Sequence, residues 1–161
     1  MQTCSDAPKI TNPLRILLVE DDYLLAEGTA RLLTRVEGYA AKVADHPQEV
    51  MQQCEAGQVD VVILDAHLPE TVWNGQSISG RDLAQSLKAN PKTCHIPILL
   101  VATLLSGGDR SQLLGQFQAD AVYPHLLHEP NQILTWVQRL YYNRFQRLHE
   151  RSFRSRLMAW A

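Results

Sequence analysis

Four carboxylates stand directly behind two apolar runs: Glu20, Asp21 and Asp22 follow LRILLV at 14–19, and Asp65 follows VDVVIL at 59–64. Short apolar runs of this kind read as buried strands, so each set of acids falls at a strand's carboxyl end. If the first and third strands are neighbours, Glu20, Asp21 and Asp65 come within a few ångströms of one another. Carboxylates held that close raise one another's proton affinity unless a cation lies between them. A hard divalent ion such as Mg2+, which takes one or two carboxylates and keeps several waters, suits the set. Asp22 suits a helix N-cap better than chemistry. His67 lies two residues past Asp65 but forms no ligand spacing with His46, His95, His128 or His149.

The elements that must position these acids alternate in kind. Apolar runs at Leu14–Val19, Val59–Leu64 and Ile96–Ala102, with weaker ones at Tyr39–Val43 and Ala121–Tyr123, predict strands. Amphipathic stretches at roughly 22–36, 46–56, 80–89, 109–117 and from 130 onward predict helices. Asp22 and Asp45 are expected as N-caps, Pro47 suits a first turn, and Gly38 and Gly57 suit helix ends. Five strands alternating with five helices imply right-handed crossovers and a parallel sheet covered on both faces. The expected fold is α/β, a doubly wound (βα)5 domain of flavodoxin-like strand order 2-1-3-4-5, in which strands one and three are neighbours. Function in such folds gathers at the carboxyl ends of the strands, where the four acids lie.

Composition sets the outer bounds. A chain of 161 residues, 45% hydrophobic and 20% charged, fits one globular domain with a short appendage and excludes a disordered or fibrous protein. The net charge of −2 excludes nucleic-acid binding through the overall field. Its distribution is uneven, because from Arg139 onward six Arg face one acid, Glu150, leaving −7 for residues 1–138. Cys4, Cys54 and Cys94 form no CxxC or His-paired metal spacing, and an odd count fits a reduced cytoplasmic protein better than a secreted one. No export signal or membrane span is visible. Residues 1–13 read as a flexible leader, 14–140 as the domain and 141–161 as a basic extension of the last helix.

In order and spacing, ILLVEDD at 16–22, DVVILDAHLP at 60–69 and HIPILLVAT at 95–103 resemble the receiver domains of two-component response regulators. The resemblance covers about residues 14–140 and is fairly specific, because VEDD and LDxxLP occur together. It implies that Glu20 and Asp21 are the family's acidic pair and that Asp65 is the phosphorylated aspartate. It also implies that the backbone carbonyl of His67 joins Glu20, Asp21 and Asp65 in holding Mg2+. The implied reaction is attack of the Asp65 carboxylate on a phosphoryl group brought by a sensor histidine kinase or phosphotransfer protein. By the same resemblance the chain is a signalling protein and not an enzyme.

Two family positions are altered. The strand-end Thr or Ser falls on Ala102, with Thr103 one residue later, and the Lys-Pro pair after strand five reads His125-Leu126. Thr103 and His125 are thus the candidates to touch a phosphoryl group there, and a neutral imidazole is a weaker partner than an ammonium. The switch aromatic falls on Val122, with Tyr123 one residue late. Between Pro69 and Gly80 the segment ETVWNGQSIS lengthens the family's usual short connection, and Trp73 in it reads as part of a tolerated surface insertion, or as a cover or docking residue.

Beyond Pro130 the sequence contains no further Gly or Pro, so a long helix is expected there. It could end as a solvated tail, pair in a homodimer, or touch an anionic partner. It is too short for a DNA-binding output domain, so direct DNA binding is not expected. The leading expectation is a single-domain response regulator, phosphorylated on Asp65 and signalling through protein contacts. The alternative is a pseudo-receiver that binds partners or dimerises without phosphorylation. A haloacid-dehalogenase-type phosphatase would need a second Asp where His67 stands. A flavodoxin-like cofactor binder would need a Ser/Thr-rich phosphate loop after the first strand.

Overall fold

Arg15 is the one exposed residue of the first strand, and it shows how the sheet is set in register. Its backbone N–H and Nε donate to Asp60 Oδ2 at 2.9 and 3.0 Å, and its Nη2 donates to Asp60 Oδ1 at 2.9 Å. Nη1 donates to the Gly57 carbonyl at 2.6 Å, so one guanidinium ties the start of the third strand to the first. Burial alone would raise the pKa of Asp60, but the Arg15 hydrogen bonds and charge, with Arg144 adding, hold it below the usual carboxylate value. A lowered folded-state pKa gives stability above the ordinary value of 3.8 that is lost as pH falls through the folded value. The acid limb of thermal stability below about pH 4 should therefore be shallower in Asp60→Asn, measured by circular dichroism melts.

The computed structural model describes residues 13–35, 39–103, 109–124 and 131–158. Residues 1–12 of the leader, Gly38 and His125 lie outside them. In chain order the elements are β1 (Leu14–Val19), α1 (Tyr23–Thr34), β2 (Tyr39–Ala44), α2 (Pro47–Glu55), β3 (Val61–Asp65), β4 (Thr71–Trp73) and β5 (Gln76–Ile78). They continue with α3 (Gly80–Ala89), β6 (Ile98–Ala102), α4 (Arg110–Phe117), β7 (Ala121–Pro124) and α5 (Gln132–Met158). The main sheet has the order β2-β1-β3-β6-β7, all pairs parallel, as expected once the inserted hairpin β4–β5 is set aside.

Side-chain alternation along the strands feeds two cores, one on each face of the sheet. Leu17, Val19, Val62, Leu64, Leu100 and Val122 pack with α2, α3 and Phe117 of α4 on one face. Ile16, Leu18, Val61, Ile63, Leu99 and Tyr123 pack with Ala26 and Leu33 of α1 and with Ile133 and Val137 of α5 on the other. The doubly wound arrangement follows from near-continuous apolar strands that need cover on both sides.

Local signals explain the helix ends. Asp22 caps α1, its Oδ1 accepting from the Leu25 N–H at 3.1 Å. α2 is capped by His46 rather than by Asp45, because the His46 Nδ1 accepts from the Gln48 N–H at 3.2 Å. Gln118 closes α4 in the left-handed region, at φ 52° and ψ 31°. An L residue is strained in that conformation and Gly is not, so Gln118→Gly should raise stability by about 1 kcal/mol, visible as a higher Tm by calorimetry.

The lengthened segment between Pro69 and Gly80 is a built element. Thr71 pairs with Ile78, Val72 with Ser77 and Trp73 with Gln76 in an antiparallel hairpin. Asn74 and Gly75 form its two-residue turn, both at positive φ, 52° and 76°, as a type I′ turn demands. Trp73 and Ile78 pack on the core beneath α2 and α3, while Val72 stands exposed. Ser79 and Asp82 then form a reciprocal capping box that starts α3.

Candidate metal and phospho-acceptor site

The pairing of Val19 with Leu64 brings the residues just beyond them to one rim of the sheet. Glu20, Asp21 and Asp65 gather there, each offering a carboxylate oxygen, and the three oxygens lie within 4.8 Å of one another. Glu20 and Asp65 are half-buried and Asp21 is exposed. The Asp22 N–H donates to Glu20 Oε1 at 3.0 Å, and the His67 N–H donates to Asp65 Oδ1 at 3.0 Å, so local turns orient two of the three carboxylates.

The electrostatics of this set are unbalanced by protein alone. Burial, first, and then the negative charges of Asp65 and Asp21 push Glu20 up to about 7, against the opposing hydrogen bond from Asp22. No Lys or Arg forms an ion pair with Glu20, Asp21 or Asp65 among the described residues. Three hard oxygen donors, crowded and without a protein counter-ion, are the donor chemistry that a divalent cation such as Mg2+ takes. The rim opens into a groove of about 390 Å³ between α1 and the β2–α2 corner, lined also by Glu27, Asp45 and Glu49. Beside it Tyr23 and Leu24 at the start of α1 are 70% and 81% exposed.

Of the sequence-predicted residues, Glu20, Asp21 and Asp65 are brought together. His67 lies in the turn after β3, exposed, with its N–H turned back to Asp65. Thr103 is the exposed residue just past β6, whereas Ala102 is 3% exposed and packs on the same face as Val122 and Phe117. Val122 and Tyr123 point to opposite faces, Tyr123 meeting Trp136 edge to face at 6.5 Å. The aromatic one residue late is therefore on the α5 side of the sheet.

Gly80 is a positioning residue that sequence reasoning misses. A Cβ there would lie 3.3 Å from the Asp65 carbonyl oxygen and 3.3 Å from Leu68 Cβ, a tight fit that any larger residue could meet only if β3 or Leu68 gave way by a few tenths of an ångström. The available signal is the Asn74-Gly75 hairpin turn with the Ser79-x-x-Asp82 cap, which together fix where α3 must begin.

Comparison with known proteins shows the family and the fold. The response regulator receiver domain family matches residues 16–121. The chain belongs to that family, whose members are modules of two-component signalling. It is 28% identical over 97 residues to the gliding motility regulatory protein of Myxococcus xanthus, covering 60% of this chain and 12% of that protein. It is 33% identical over 86 residues to the sensory transduction protein RegX3 of Mycolicibacterium smegmatis, covering 53% of this chain and 33% of that protein. The chain thus spans a third or less of the length of these curated relatives.

Among solved structures, a CheY-like response regulator receiver domain protein from Methanospirillum hungatei superposes with a TM-score of 0.65 at 21% identity, over 84% of this chain and 99% of that one. The receiver domain of the sensor histidine kinase PA1611 from Pseudomonas aeruginosa gives 0.63 at 20% identity, over 80% and 98%, and holds a magnesium ion in its active-site cleft. These likenesses speak to the fold. No helix among the described residues is long and apolar enough to cross a membrane.

Proposed function

We propose that this chain is an atypical single-domain response regulator that accepts a phosphoryl group on Asp65 and signals through protein contacts. The observation that carries the reading is the half-buried Asp65 at the end of β3, held within 4.8 Å of the Glu20 and Asp21 oxygens. An Asp65 oxygen attacks phosphorus, the P–N bond of a phosphohistidine on a sensor kinase or phosphotransfer protein breaks, and the histidine leaves with the bonding pair. The product is an aspartyl phosphate, a mixed anhydride. Glu20, Asp21, Asp65 and the His67 carbonyl are the groups that would hold Mg2+. When bound, that ion supplies charge neutralisation for the phosphoryl oxygens.

Asp65 is the nucleophile, Asp22 holds Glu20 in place through its N–H, and the His67 N–H orients the Asp65 carboxylate. Tyr23 and Leu24, exposed beside the acidic rim, offer an apolar contact for the phosphoryl donor. Ala102 removes one hydroxyl from the position nearest the phosphoryl group, which leaves the exposed Thr103 as the hydroxyl at the end of β6. That substitution favours a second reading, a pseudo-receiver acting as a protein-interaction module without phosphorylation. α5 spans Gln132–Met158, about 40 Å of helix, and offers a surface for homodimerisation in either reading. A cytoplasmic location fits both.

The test is intact mass after incubation with acetyl phosphate and Mg2+. Wild type should gain one phosphoryl group, and the gain should vanish in Asp65→Ala and with chelator. Absence of the adduct in wild type, under conditions that modify another receiver domain, would select the pseudo-receiver.

A further inference from the structure

At the opposite end of the sheet from the acidic rim, a pocket of about 620 Å³ opens at the amino ends of β6 and β7. This is within the size range of small-molecule sites, roughly 300–1,000 Å³. Its charged lining is predominantly basic: Lys88 from α3 and Arg144 and Arg147 from α5, against the single acid Asp120, with His95 from the turn before β6 beside them. Asp120 is already engaged, its Oδ2 accepting from Lys88 Nζ at 2.7 Å and from the Ile98 N–H at 2.8 Å. Neither Arg144 nor Arg147 forms an ion pair among the described residues.

Arg144 is the most informative of these groups. A guanidinium carries five N–H donors, and Nη1 donates to the Asp60 carbonyl at 3.2 Å. Its Nε is buried, so a ligand in the pocket meets this guanidinium through its terminal nitrogens. The carboxylate nearest in charge, Asp60, is taken up by Arg15. Burial, and then the positive charges of Arg144 and Lys88, hold His95 below its ordinary pKa. Two guanidinium groups on successive turns of one helix, neither in an ion pair among the described residues, suit the geometry of phosphate oxygens.

We infer that this pocket is a second ligand site, for a small organic phosphate whose phosphate is held by Arg144 and Arg147 and whose apolar part lies against Pro97, Ala119 and Leu140. Such a ligand bridges α5 to the turn before β6 and to the α4–β7 turn. It would therefore act on α5 from a site separate from Asp65.

The test is isothermal titration of the full chain with ADP, ribose phosphate and inorganic phosphate, at matched ionic strength and with chelator present so that the acidic rim is not engaged through metal. ADP or ribose phosphate should bind saturably and more tightly than inorganic phosphate. Affinity should fall at least tenfold in Arg147→Glu, recover in part in Arg147→Lys, which restores the charge without the guanidinium fork, and stay unchanged in Asp65→Asn. Arg147 is exposed, so the fold should survive its replacement, and an unchanged Tm checks that. No saturable binding, binding of inorganic phosphate alone, equal binding by Arg147→Glu, or loss in Asp65→Asn would each overturn the assignment.

Discussion

Asp21→Ala is expected to weaken Mg2+ binding by at least tenfold, about 1.4 kcal/mol, and to slow phosphoryl uptake at subsaturating Mg2+ in proportion. Asp21 is exposed and its carboxylate is one of three that converge within 4.8 Å. Removing it takes away a direct oxygen donor for a hard cation and leaves the α1 cap, which belongs to Asp22, in place. The fold should therefore be unaffected. Without metal the variant should even be slightly more stable, because one of the charges that raises Glu20 is gone. Calorimetric titration with Mg2+ and a melt in chelator measure the two effects. Unchanged affinity would mean that the cluster does not bind the ion through Asp21.

Leu64→Ala is expected to be the most damaging change to stability, by about 2–5 kcal/mol. Leu64 is fully buried on the central strand β3, next to Asp65 and paired with Val19 and Leu100 on its two sides. Truncation loses the transfer free energy of the removed atoms and leaves a cavity between the sheet and the α2–α3 layer. Urea unfolding should show a lower midpoint with an unchanged slope. A loss below about 1 kcal/mol would show that α2 and α3 can collapse into the gap.

Much of this architecture is legible because the parallel strands are near-continuous apolar runs, and the acids directly behind LRILLV and VDVVIL can only fall at strand ends. The adjacency of β1 and β3, on which the three-carboxylate cluster depends, follows from strand order rather than from any local pattern. The hairpin is hidden for a different reason. Its strands are three residues each, too short for period-two alternation to register, so the Asn74-Gly75 turn is its only strong mark. The helix cap at His46 escapes notice because histidine is an uncommon N-cap beside an adjacent Asp45 that has the better propensity. The basic pocket is not legible at all, since Lys88, His95 and Arg144 are separated in sequence and meet only when α5 packs across the sheet.

The altered positions also bear on how a signal could leave the domain. Ala102 and Val122 lie buried on one face and Tyr123 on the other, so the two family positions themselves carry neither a hydroxyl nor an aromatic. Tyr123 instead meets Trp136 of α5, which places the aromatic contact on the helix that carries the basic extension.

A crystal structure of the chain with Mg2+ and beryllofluoride, a stable mimic of the phosphoryl group, decides whether Asp65 is a working acceptor. Beryllium is expected bonded to an Asp65 carboxylate oxygen, with Mg2+ among Glu20, Asp21, Asp65 and the His67 carbonyl. Both ligands absent at concentrations that saturate another receiver domain, or beryllofluoride bound away from Asp65, would contradict that assignment.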